Sequence, residues 1–85
     1  METDEDMPTF ANVEALQSYL KNSRYRKFHV AFENEPGAMF LLLPYVKEWR
    51  VVEREPGRGD ISQRFFRNFG DAAKGLLRII DMSAP

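Results

Sequence analysis

The chain has 85 residues, of which 44% are hydrophobic, with seven Phe, three Tyr and one Trp, and its formal net charge is −1. That is enough chain for one domain, in the size range where folding buries roughly 60% of the unfolded surface, and it is too apolar for disorder throughout. With no cysteine, disulfides, thiolate metal sites and a cysteine nucleophile are excluded. No apolar run approaches the length of a membrane span, and an N-terminus that begins acidic is unlike a signal peptide. A cytoplasmic location without membrane association is the matching expectation.

Charge divides the chain. Glu2, Asp4, Glu5, Asp6 and Glu14 fall in residues 1–20, which hold no Lys or Arg; residues 21–68 hold ten basic and six acidic side chains. Residues 1–8 read as a disordered acidic lead-in, 9–82 as a single domain and 83–85 as a frayed C-terminus. The folded body is mildly basic, an asymmetry that suits an acidic or nucleic-acid partner.

Taken in order, Thr9 or Asn12 is placed to cap a first helix whose apolar stripe is Val13, Leu16, Tyr19 and Leu20. Asn22 and Ser23 end it. The segment Lys21, Arg24, Arg26 and Lys27, interrupted by Tyr25, then offers four cations to a phosphate or an acidic protein patch. Residues 25–33 alternate as a strand should. Residues 38–43 are apolar at every position, as in a strand covered on both faces, and Pro44 closes that strand. Residues 49–55 form a third strand and 61–69 a fourth. A second helix starts near Gly70, capped by Asn68 or Asp71, with Ala73, Leu76, Leu77 and Ile80 as its stripe.

One phrase recurs. Glu-x-Glu-Pro-Gly occurs at Glu33–Gly37 and again at Glu53–Gly57, each copy after a β-rich run. Proline presets the first corner of a turn and glycine supplies the positive φ of the next. Two strand-then-turn signals predict two consecutive hairpins. The expected fold is therefore α+β: a four-stranded antiparallel meander flanked by an N-terminal and a C-terminal helix, in the order α-β-β-β-β-α.

If Phe28, Val30, Phe32, Leu41, Leu43, Trp49, Val51 and Phe65 pack on the helices, the other face carries His29, Phe40, Leu42, Arg50, Val52, Arg54, Arg64 and Phe66. Whether both helices lie on one face decides whether that second face is open. Arginines among aromatic rings suit a protein hot spot, and equally base stacking with phosphate neutralisation.

His29 is the only histidine and has no metal-ligating cluster around it; paired with Glu33 as a base it would still lack a nucleophile and an oxyanion hole. Arg58-Gly59-Asp60 matches an adhesion tripeptide that arises easily by chance. The carboxylates of the two Glu-x-Glu phrases read as solubilising gatekeepers rather than a cation site. No metal and no cofactor are expected.

The sequence thus points to a non-enzymatic protein-binding module, a regulator, adaptor or inhibitor, with self-association as a homodimer as one form of that contact. The binding residues expected are His29, Phe40, Arg50, Arg54, Arg64 and Phe66, with Arg24, Arg26 and Lys27. Nucleic-acid binding through the same face and the basic segment is the alternative.

Overall fold

The computed structural model describes residues 8–55 and 57–83. Residues 1–7 of the acidic lead-in expected over 1–8, Pro56 and the last two residues of the expected frayed end lie outside the described residues.

Helix α1 (Val13–Lys21) starts at Asn12, whose Oδ1 accepts from the Ala15 backbone N–H at 2.9 Å, an Asx cap that satisfies one of the first-turn donors. A 3₁₀ turn (Arg24–Lys27) follows, opened by Ser23, whose Oγ accepts from Tyr25 N at 3.3 Å. Four strands then form one sheet: β1 (Val30–Ala31), β2 (Phe40–Tyr45), β3 (Glu48–Glu55) and β4 (Gly59–Phe66), side by side in chain order. Helix α2 (Phe69–Ser83) closes the chain. It is capped by Asn68, whose Oδ1 accepts from Asp71 N at 2.8 Å. The order α-β-β-β-β-α and the α+β class match the sequence reading.

The sheet is mixed, which corrects the antiparallel meander. β2–β3 and β3–β4 are antiparallel, whereas β1 runs parallel to β2 with Val30 beside Phe40 and Ala31 beside Leu41. The first Glu-x-Glu-Pro-Gly copy therefore makes no hairpin. Serine capping draws residues 24–27 into the 3₁₀ turn and leaves two residues for pairing. His29 O then accepts from both Met39 N (2.9 Å) and Phe40 N (3.2 Å), drawing the returning chain in parallel. Gly37 (φ +88°) allows the reversal, and Ala38 is buried in a cluster with Ala31, Leu41, Leu43 and Val52.

Both helices lie on one side of the sheet. Leu16 and Leu20 of α1 share a buried core with Ala72, Ala73, Leu76, Leu77, Ile79 and Ile80 of α2, and with Phe40, Leu42 and Val51 from the strands. Directly opposed residues of an antiparallel pair share a face, and a one-residue slip turns every side chain over. Leu42 is opposite Val51 and Phe66 is opposite Trp49. Core-facing Val51 and Trp49 thus take Leu42 and Phe66 inward with them. Phe40, Leu42 and Phe66, expected on the outer face, belong to the helix side, and Leu41, Leu43 and Phe65 turn outward. The assignment of Trp49 and Val51 inward and of Arg50, Val52 and Arg54 outward stands.

Three boundaries also move. Pro44 lies inside β2, because Phe40 N already turns to the β1 side and the alternation of an antiparallel strand points the Pro44 nitrogen the same way, past the end of two-residue β1. Phe69 opens α2 instead of ending β4. Ser83 belongs to α2 and donates from Oγ to Glu53 Oε2 at 2.7 Å, fastening the helix end to β3.

Candidate binding face

The face turned away from the helices is the candidate site, and β3 organises it. Val51 enters the helix-side core and Glu53 meets Ser83 of α2, so Arg50, Val52 and Arg54 project to the other side.

At one end of this face the cations are already engaged. Arg54 donates from Nε to Asp60 Oδ1 (2.7 Å) and from Nη1 to Asn34 Oδ1 (3.2 Å). Its side chain is only 22% exposed, so Arg54 acts as a clasp between the returning loop and β4. His29, just before β1, pairs through Nε2 with Glu35 of the same loop, not with Glu33. The Arg54 charge is matched by the Asp60 carboxylate.

The other end is apolar. Tyr45 and Phe65 are in tilted ring contact, with centroids 5.2 Å apart and planes at 58°, and each is 46% exposed. The Arg50 guanidinium lies with Cζ 5.5 Å from the Tyr45 centroid and Nη1 donating to Gln63 Oε1 at 3.4 Å. Arg50 Nε is buried and, among the described residues, is the one buried side-chain polar atom without a partner. Beside Tyr45, Val46 sits at the tip of the β2–β3 hairpin, 91% exposed and at φ +53°. A β-branched residue in the left-handed region is a true conformational outlier, and two-residue hairpins normally put Gly, Asn or Asp where φ is positive.

The expected site residues divide accordingly. His29, Arg50 and Arg54 do share the outer face. Phe40 is core, 1% exposed and edge-on to Phe28 at 5.9 Å. Phe66 is half-buried, with its ring against Gly75 of α2. Arg64 lies opposite Val51 on the edge strand, on the helix side. Arg24, Arg26 and Lys27 belong to the 3₁₀ turn. Within it Arg24 Nη2 bonds Asp81 Oδ1 (2.9 Å) and the Tyr25 hydroxyl (2.7 Å), Lys27 lies over the Phe28 ring, and Arg26 is exposed. Tyr25 in turn donates to Asp81 Oδ2 at 3.1 Å. Burial raises its hydroxyl pKa above the ordinary 10.0, while the bond from Arg24 pulls the other way. This segment therefore fastens the 3₁₀ turn to the end of α2.

Tyr45, Gln63 and Phe65 are the exposed outer-face residues that sequence reasoning missed, together with Val46 at the neighbouring hairpin tip. The signal for Phe65 was present: pairing Trp49 with Phe66 puts Arg50 opposite Phe65. The tip at Val46 and Lys47 carries no Gly, Pro, Asn or Asp and gives no turn signal.

Among the described residues no group of three His, Cys, Asp or Glu is arranged to hold a metal ion, and no helix is long and apolar enough to cross a membrane. No family model, curated protein or solved structure matches the chain.

Proposed function

We propose that the domain is a non-enzymatic protein-binding module, a small regulator, adaptor or inhibitor, that engages its partner through the apolar end of the outer face. The observation that carries this reading is the pair of half-exposed rings Tyr45 and Phe65 beside Arg50, next to the exposed hairpin tip at Val46. Contiguous exposed apolar surface on a small domain marks a contact, and Tyr and Arg are the residue types that dominate binding energy at protein interfaces. Val46 adds a second reason. Backbone strain at an exposed position is retained where it serves a site, and here it holds an apolar side chain out in water. The uncompensated Arg50 Nε–H is a donor that a small repacking would offer to a partner's carbonyl.

A protein partner suits the face better than a nucleic acid. Arg54 is held by Asp60 and Asn34, and His29 by Glu35, which leaves little positive charge to replace the counterions around phosphates. A second copy of the chain is one partner this face would fit, as a homodimer. The reading is tested by concentration-dependent amide shifts and by titration with a mixed single-stranded oligonucleotide at low and moderate salt. It expects no salt-sensitive oligonucleotide shifts at Arg50 and Arg54. Such shifts, fading as salt rises, would carry the nucleic-acid reading instead.

A further inference from the structure

Away from the outer face, a cleft of about 520 Å³ opens between α1 and the end of β1. Val13 and Gln17 of α1 form one wall, Phe32 forms the other, and Pro44 and Trp49 close the end. Glu14, Glu33 and Glu35 stand around it. A smaller cleft of about 190 Å³ continues along α1, sharing Gln17, Val30 and Phe32, and it ends between Lys21 and Arg26. The result is a trough of mixed polar and apolar surface, in which Val13, Val30, Phe32 and Trp49 supply the apolar part, with carboxylates at one end and cations at the other. We propose that this trough docks a peptide segment of a protein partner, apolar at its centre, with Lys or Arg at the end that meets Glu14 and Glu33 and Asp or Glu at the end that meets Lys21 and Arg26.

The charge order chooses the occupant. A nucleic acid is repelled by the carboxylate end, and a membrane surface would meet both signs of charge, whereas a peptide of matching polarity satisfies both ends and is rejected when reversed. The trough does not recruit a strand. Pro44 takes the place on the bare edge of β2 where a backbone donor would face an incoming chain, so strand addition lacks that bond. Recognition falls to side chains, with apolar anchors entering between Phe32 and Val13 beside Trp49.

The proposal is independent of the outer-face reading and is tested on the full chain with a displayed library of twelve-residue random peptides. Selected peptides are titrated by Trp49 fluorescence and amide shifts. The expected result is enrichment of the stated charge order around apolar anchors, with shifts at Val13, Gln17 and Phe32. Glu33→Lys with Glu14→Gln should then weaken binding at least tenfold, and a peptide with Glu in place of its Lys should recover affinity on that variant. Val46→Asp should leave the affinity unchanged. No enriched peptide, enrichment of the opposite charge order, or shifts confined to Tyr45, Val46 and Phe65 would overturn the proposal.

Discussion

Gly75 lies in the middle of α2, where alanine would ordinarily add about 1 kcal/mol through helix propensity. Here a Cβ would fall 2.2 Å from Phe66 Cζ and 2.8 and 2.9 Å from its two Cε atoms. Carbon atoms pack best at about 3.5–4.0 Å, so the ring or the helix must withdraw by more than about 1 Å. If the ring swings out, the burial of Phe66, worth about 1.5–3 kcal/mol, is largely lost; if the helix retreats, the overpacking cost is of similar size. After subtracting the propensity gain, Gly75→Ala should destabilise by about 0.5–2 kcal/mol, which for a domain of this length lowers Tm by roughly 2–15 °C. Thermal and urea melts followed by circular dichroism read this directly. With Phe66→Ala already present the clash is gone, and Gly75→Ala should become neutral or stabilising, giving a coupling of 1 kcal/mol or more (about the overpacking term). A Gly75→Ala protein that melts higher than wild type would refute the close packing of Phe66 on α2 and, with it, the inward assignment of β4.

Val46→Gly removes the β-branched residue from the left-handed region and should stabilise by about 1 kcal/mol while weakening partner binding, read as a higher urea midpoint with lower affinity; a lower midpoint would show that Val46 is not strained. Tyr25→Phe loses the bonds to Arg24 and Asp81 and should cost about 1 kcal/mol at neutral pH in a urea melt. Because the Tyr25 pKa is raised in the folded state, its contribution is fully present below pH 10 and is lost as pH rises through the folded value. Wild type and Tyr25→Phe should therefore converge in stability above pH 10, and parallel curves to pH 12 would contradict this. Arg54→Ala releases the returning loop from β4 and should cost about 1 kcal/mol in urea melts, with faster amide exchange at Asn34 and Glu35.

The helices were legible because their caps and stripes are local. Asn12 and Asn68 accept first-turn N–H groups in the expected way, and Leu16, Leu20, Leu76, Leu77 and Ile80 all reach the core. The second Glu-x-Glu-Pro-Gly copy follows β3 into a real hairpin, closed by Arg58 N donating to Glu55 O at 3.0 Å. The first copy, which shares the pattern with Asn34 in place of Arg54, does not, since turn residues set a local reversal and not which strand edge the returning chain meets. Residues 40–43 are apolar throughout, so period-two reasoning had no polar partner to orient them, and only the register with Val51 and Val52 does so. Arg50 and Arg54 on the outer face were legible from simple alternation. The apolar end of that face was not, because the neighbouring hairpin tip rests on a strained valine, a residue with no turn propensity.

The central claim is that Tyr45, Val46, Arg50 and Phe65 form a surface for a protein partner. It is tested most directly by quantitative affinity capture from source-cell extract with wild-type and Val46→Asp baits, with and without nuclease. The account predicts at least one protein retained by wild type, depleted on Val46→Asp although that variant stays folded, and indifferent to nuclease. Identical captured sets on both baits, or capture that disappears with nuclease, would contradict it.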